Sequence, residues 1–185
     1  MWYNELKPSQ SPRKRDEKIP NWCLNNATIT HDDPAKLNEL LDAYKAGNLF
    51  EHYLPTPRDP DDPTKLIGEG KQVELGGFDW YNFRLNKWGT KWDVGGKDAV
   101  YSDNPDGLVL SFNTAWSPPI GLYDKLFELG YNVKATYWEP GMAYCGIWDN
   151  GYDNYIEYTD HGMIPVALWN EFNMDEFFQE DEEVA

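Results

Sequence analysis

Leu108-Val109-Leu110-Ser111-Phe112 is an apolar run broken only by one serine, and it predicts a buried strand. Ser117-Pro118-Pro119 follows and predicts the start of a helix, with Ser117 as its N-cap. Gly130 predicts the end of that helix, and residues 132–138 predict the next strand. A strand, a helix and a strand in this order predict a sheet with a helix packed against it.

A second strand and helix precede this unit. Residues alternate in character from Trp22 onward, which predicts a strand whose side chains point to two faces. Asp32-Asp33-Pro34 predicts the start of a helix and Gly47 its end. The remaining predicted elements are a helix over residues 79–88, strands over residues 92–94, 99–101, 142–148 and 154–158, and a terminal helix over residues 166–178.

The order of these elements predicts an α+β fold with a mainly antiparallel sheet and helices packed on one face. Residues 1–18 are polar and basic and predict a flexible N-terminal arm. Residues 19–160 form the predicted domain, which contains an irregular insert at residues 55–72 because prolines exclude regular structure there. Residues 161–185 are predicted to be an acidic C-terminal helix and tail.

The charge of the chain is strongly asymmetric. The formal net charge is -16, and the twelve carboxylates after Lys134 carry -12 of it, because no lysine or arginine follows that residue. Such a field repels nucleic acid and membrane surfaces and attracts basic partners. Nine tryptophans and twelve tyrosines supply enough buried area for a packed core, so the chain is expected to fold despite its charge.

Four stretches of the sequence together resemble the YubB-type ferredoxin-like family of bacteriophage and conjugative-plasmid proteins. They are Ile19-Pro20-Asn21-Trp22-Cys23-Leu24-Asn25-Asn26, Trp88-Gly89-Thr90-Lys91-Trp92-Asp93, Phe112-Asn113-Thr114-Ala115-Trp116-Ser117-Pro118-Pro119 and Tyr137-Trp138-Glu139-Pro140-Gly141-Met142-Ala143-Tyr144-Cys145-Gly146. The resemblance implies a ferredoxin-like domain encoded by a mobile element of bacteria. It implies no reaction, and the acidic C-terminus departs from the family pattern.

The first functional hypothesis is therefore a non-enzymatic acidic protein of a phage or plasmid. It would inhibit a host nucleic-acid-binding or defence protein, with carboxylates placed like the phosphates of DNA. The host protein would offer a basic surface, and no direct binding to DNA is expected. The expected partner-binding residues are Asp149, Asp153, Glu157, Asp160, Glu171, Asp175, Glu176, Glu180, Asp181, Glu182 and Glu183.

The segment from Trp88 to Asp93 supports a second hypothesis. Its two tryptophans flank Lys91, so the rings could stack on a base while the lysine binds a phosphate, in a nucleotide or nucleic-acid binder or a small hydrolase. The alternative is a turn whose rings fill the core. The candidate ligand-binding residues are Trp88, Lys91, Trp92, Asp93, Trp116 and Glu139. A third hypothesis is a structural component of a phage assembly.

The sequence contains no pattern that predicts a cofactor or a catalytic residue. His31, His52 and His161 lie far apart and no paired ligand spacing occurs, so no metal site is predicted. Two cysteines do not form a disulfide framework, and no apolar run is long enough to span a bilayer. We expect a cytoplasmic protein with reduced thiols that does not bind membranes.

Overall fold

A computed structural model describes the backbone of residues 21–74, 76–105 and 107–183. It describes the side chains of these residues except Asn104 and residues 179–183. The predicted basic arm at residues 1–18 lies outside the described residues. The elements are, in chain order, β1 (Trp22–Thr30), α1 (Pro34–Ala46), α2 (Leu49–Tyr53), α3 (Trp80–Lys87), β2 (Val100–Asn104), β3 (Gly107–Ala115), α4 (Ile120–Glu128), β4 (Asn132–Glu139), β5 (Tyr144–Asp149), β6 (Tyr152–Glu157), α5 (Val166–Glu171) and α6 (Met174–Glu183).

Within the described ranges, six strands form one sheet in the order β2-β3-β1-β4-β5-β6. Every neighbouring pair is antiparallel, which confirms the prediction of an antiparallel sheet in a mixed fold of helices and strands. The central strand is β1, where Ala27 pairs with Leu110 on one side and Ala135 on the other. The two edges of the sheet are β2 and β6.

The main core lies on one face of this sheet, beneath the first four helices. Alternate residues of β1, from Cys23 through Ala27 to Ile29, point to this face and are buried. Helices α1 and α4 cover it with Leu40, Tyr44, Leu122 and Leu126. Trp88, at the end of α3, joins the same cluster. Burial of these large apolar side chains is the main contribution to the stability of the fold.

A second core lies on the opposite face, because α5 and α6 pack against the other side of β4 and β5. Trp138 is its central ring, and it contacts Phe172 and Phe178 while its indole N–H donates to Tyr158 at 2.9 Å. Leu168 of α5 is completely buried there. The prediction of helices on one face therefore holds for α1 to α4 and is incomplete, since the acidic C-terminal helices cover the second face.

The predicted helix ends are correct where a side chain or a glycine forms the cap. Asp33 caps α1, Asp79 caps α3, and Gly47 ends α1 in the left-handed conformation with φ 74°. The predicted N-cap at Ser117 is wrong, because Pro119 occupies the N-cap position of α4 and the hydroxyl of Ser117 donates to the carbonyl of Gly89. Helix α4 begins at Ile120, after the two prolines have continued the turn.

Two further predictions differ from the structure. Residues 92–94 form a bend instead of a strand. The terminal helix is divided into α5 and α6, because Asn173 adopts a left-handed conformation with φ 49° between them. No helix among the described residues combines the length and apolar character that crossing a bilayer requires.

Candidate functional site

The candidate ligand-binding residue Trp88 lies inside the protein. Its side chain is 0% exposed, and its indole N–H donates to the carbonyl oxygen of Leu54 at 2.8 Å. Phe50 packs edge-on against the ring, and the guanidinium of Arg84 lies over it at 4.3 Å from the centroid. Trp88 therefore fills the core and is not available to stack on a ligand.

Asp93 also has a structural position. One carboxylate oxygen accepts from the amide of Phe50 and the other from the amide of Glu51, both at 2.9 Å. These are free amides at the start of α2, so Asp93 acts as a distant cap for that helix. Burial raises the pKa of Asp93, while the amide hydrogen bonds oppose that rise.

Three of the other tryptophans in the sequence motifs form a cluster at the protein surface. Trp92 lies 6.0 Å from Trp22 and stacks on Trp116 at 6.3 Å, measured between ring centroids. Trp22 is 41% exposed and Trp92 is 40% exposed. The ammonium of Lys91 lies over the ring of Trp92 at 4.6 Å. The structure thus brings Lys91, Trp92 and Trp116 together and adds Trp22, which the sequence hypothesis did not include.

Glu139 is 1% exposed and holds the turn between β4 and β5. Its carboxylate accepts hydrogen bonds from the amide of Gly141 at 3.2 Å and from the amide of Met142. It is therefore remote from solvent and has a role in shaping the turn. The structure does not bring it into contact with the tryptophan cluster as an acid or base for a bound ligand.

A groove of about 690 Å³ begins at this tryptophan cluster and runs along the part of the sheet that α5 and α6 leave open. Leu24 pairs with Asn113, and Asn26 pairs with Ser111, so these neighbouring side chains of β1 and β3 line its floor. The corner between α5 and α6 contributes to one side, and the bend after Trp92 contributes to the other. The further lining residues used below are Trp22, Trp92, Asp93, Asp98 and Glu171.

Glu171 links the groove to the acidic helices. One of its carboxylate oxygens accepts from the hydroxyl of Thr136 at 2.7 Å and from the amide nitrogen of Asn26 at 3.2 Å. The side chain nevertheless remains exposed. These hydrogen bonds hold a carboxylate at the rim of the groove in one orientation, with a second oxygen that makes no hydrogen bond within the described residues.

The predicted acidic residues lie together on one half of the molecule, which we call the acidic half and define as residues 135–178. It comprises the second part of β4 from Ala135 onward, together with β5, β6, α5 and the start of α6, which are neighbours in the sheet or packed on it. The exposed carboxylates are Asp149, Asp153, Glu157, Asp160, Glu171, Asp175 and Glu176. Glu180, Asp181, Glu182 and Glu183 continue α6, and their side chains lie outside the described ones.

The distribution of ion pairs also distinguishes the acidic half from the rest of the molecule. The ion pairs between described residues all involve carboxylates that precede Lys134, such as Lys36 with Glu39 and Arg84 with Glu51. In contrast, no carboxylate of the acidic half is within ion-pair distance of a cation from the described part of the chain. Among the described residues, no ion pair therefore compensates the negative charge of this half.

The two thiols lie on opposite faces of the sheet. Cys23 belongs to β1 and packs with Tyr137 and Tyr144, whereas Cys145 belongs to β5 and packs in the second core. Strand β4 separates them, so they cannot form a disulfide with each other. Burial raises the pKa of Cys23 to about 12 and that of Cys145 to about 11.

Comparisons with known proteins assign no family. No family model matches the sequence, and no curated protein matches it. Among solved structures, the chain is similar to the crystal structure of a protein api92 from Yersinia pseudotuberculosis, of family-model DUF1281. The identity is 18%, the TM-score is 0.37, and the similarity covers 50% of this chain and 35% of that chain. A similarity this low assigns neither a fold nor a function.

The described residues contain no group of three or more histidine, cysteine or acidic side chains placed to hold a metal ion. The sequence had identified Trp92 and Trp116 as candidate residues but not the groove beside them. One signal was present, because Trp22 begins a strand whose partner strand ends one residue before Trp116. Predicting the tryptophan cluster from this pattern requires knowing that β1 and β3 are neighbours, which the sequence alone does not establish.

Proposed function

We propose that this protein binds a partner with a basic surface through its acidic half, without catalysing a reaction. The observation that carries this proposal is the absence of ion pairs between the exposed carboxylates of that half and the cations of the described residues. Unpaired like charges on one surface repel one another and lower stability. A cationic partner relieves that repulsion, so its binding is favoured in addition to any direct contact.

The finer form of this proposal is inhibition of a host nucleic-acid-binding or defence protein by DNA mimicry. Two features support it: the acidic side chains project from strand β6 and from the helices beside it, and the sequence resembles proteins of phages and conjugative plasmids. In this setting the protein would act in the cytoplasm of a bacterial host. Its carboxylates would displace DNA from the partner's basic groove.

We further propose that the fold is ferredoxin-like with an extension. The order β2-β3-β1-β4 supports this, because each neighbouring pair is antiparallel. The chain also runs as one strand, three α-helices, two strands, one α-helix and one strand, so the helices lie where a ferredoxin-like unit has its two crossovers. Strands β5 and β6 and helices α5 and α6 would then be additions to the basic unit. These additions carry most of the acidic half.

Two charge variants with the same net charge test the proposed function. The first changes Asp149 and Asp175 to Asn and Glu157 and Glu176 to Gln, all exposed and without side-chain hydrogen bonds to other described residues. The control changes Asp42, Asp61 and Asp103 to Asn and Glu74 to Gln, which are exposed and precede Lys134. Both remove four negative charges, so only the position of the lost charge differs.

The assay is capture of proteins from a bacterial lysate at low salt, with and without an excess of duplex DNA. We expect the unchanged protein to retain a basic nucleic-acid-binding protein that DNA releases. An exposed pair contributes about 0.5 kcal/mol, so the first variant should bind about 30-fold more weakly at low salt. Equal losses in the two variants would show that net charge alone acts. Retention that DNA does not reduce would refute mimicry.

A further inference from the structure

The groove beside the acidic half combines exposed aromatic rings with carboxylates. Trp22 and Trp92 are each about two-fifths exposed and lie at its end, and Asn113 is exposed on its floor. An exposed tryptophan is unfavourable in water unless a ligand covers it, and clustered rings are typical of binding sites. The volume of about 690 Å³ is large enough for an extended side chain together with part of its backbone.

The charges of the groove select the ligand. Asp98 and Glu171 are both exposed, and they line the groove from the short 3-10 helix Gly96–Asp98 and from the end of α5. Asp93 adds a third carboxylate, although its oxygens already accept from amides at the start of α2. Among the described residues that line the groove, none is a lysine or an arginine. An anionic ligand such as a nucleotide is therefore repelled, and a cationic ligand is attracted.

Arginine suits both the exposed tryptophan rings and the carboxylates of the groove better than lysine does. Its guanidinium is planar, stacks on indole rings and pairs with a carboxylate through two parallel hydrogen bonds. The ammonium of lysine is more strongly hydrated and has no flat face. The molecule itself contains the same arrangement, since Arg84 lies over the ring of Trp88 and pairs with Glu51 at 3.5 Å.

We propose that the groove binds an arginine side chain of the basic partner, with the guanidinium stacked on Trp22 and its charge attracted by the carboxylates of Asp98 and Glu171 that line the same groove. This inference rests on the proposed function, because it identifies which residue of a basic partner is recognised. Lys91 does not line the groove and lies over Trp92, so Trp22 offers the ring with less competition from a neighbouring cation. The acidic half supplies long-range attraction, and the groove supplies the preference for arginine.

The test compares a blocked arginine hexapeptide with a blocked lysine hexapeptide of the same charge. Binding is measured by calorimetry and by tryptophan fluorescence at low salt. We expect the unchanged protein to bind the arginine peptide about tenfold more tightly, with a change in fluorescence. Trp22→Leu should bring the ratio close to one while both peptides still bind in a salt-dependent manner. The double variant Asp98→Asn with Glu171→Gln should lower the ratio in the same way.

The control is Phe127→Leu, which changes a ring that is 44% exposed on α4, outside the groove, and should keep the full preference. Equal binding of the two peptides by the unchanged protein would overturn the inference and leave the proposed function intact. A preference for arginine that survives in both groove variants would also overturn it. Failure of both peptides to bind would instead refute the proposed function. Fluorescence quenching by adenosine monophosphate that Trp22→Leu abolishes would assign the groove to nucleotides and overturn the inference.

Discussion

The buried thiols make the stability of this protein sensitive to alkaline pH. Cys23 and Cys145 are each 0% exposed, and burial raises their pKa values to about 12 and about 11. In the unfolded chain a thiol ionises near pH 8.5. Between these values the unfolded state releases its thiol protons while the folded state retains them. The stabilising effect of the neutral thiols is therefore complete below about pH 8.5 and is lost as the pH rises toward the folded values.

The size of this effect follows from linkage. Each thiol removes about 1.4 kcal/mol of stability for each pH unit above its unfolded pKa. From pH 8 to pH 10 the two thiols together should lower the free energy of unfolding by about 4 kcal/mol. The assay is urea denaturation at both pH values, followed by far-ultraviolet circular dichroism. The unchanged protein is compared with the double variant Cys23→Ala and Cys145→Ala.

The double variant should be less stable at pH 8, because two small cavities form, but it should lose about 4 kcal/mol less between pH 8 and pH 10. Buried tyrosines also contribute to alkaline unfolding, but they are common to both proteins and cancel in the difference. If the two proteins lose the same free energy over this range, the thiols do not carry the effect. The single variants provide a second measurement, since each should account for about half of the difference.

Three further predictions test the packing. Gly121→Ala should lower the free energy of unfolding, measured by urea denaturation, by about 2 kcal/mol, because the new methyl group would collide with the carbonyl oxygen of Lys87. An increase in the free energy of unfolding, as helix propensity alone would give, would contradict this. Leu168→Ala should lower the free energy of unfolding by about 3 kcal/mol. It should also increase the rate of amide hydrogen exchange in α5 more than in the main core. An equal increase in both regions would argue against a separate second core. Asp93→Ala should cost about 1–2 kcal/mol in thermal unfolding through loss of the cap on α2, while the exposed Asp98→Ala should have little effect.

Local rules made much of the fold predictable. The cap at Asp33 and the stop at Gly47 depend on residues within one turn of the helix end, and both predictions were correct. The helix predicted from Asp79 onward was also correct, although its cap was not predicted. The apolar run of residues 108–112 predicted a buried strand in the same way, and it forms the middle of β3. The prediction at Ser117 failed because the partner of its hydroxyl lies in another segment of the chain. The hydroxyl donates to the carbonyl oxygen of Gly89.

The second core and the groove could not be predicted, because both depend on which segments become neighbours. Trp22 and Trp116 are far apart in the sequence and meet only through the pairing of β1 with β3. The division of the terminal helix at Asn173 is a left-handed turn that lets α6 return over Trp138. Of the candidate site, the acidic residues were predictable as a charge pattern, whereas their lack of ion pairs needed the folded arrangement.

The acidic edge strand β6 also has a consequence for how the protein behaves in concentrated solution. An edge strand has backbone groups without a partner in its own sheet, and such an edge can pair with the edge of another copy and begin aggregation. Asp153 and Glu157 lie on this edge, so two copies approaching there repel each other at neutral pH. The net negative charge of the protein falls to zero at the isoelectric point of about 4.4, so this protection weakens as the pH falls toward that value. Mild acidification should therefore lower the solubility of the protein while its core is still folded.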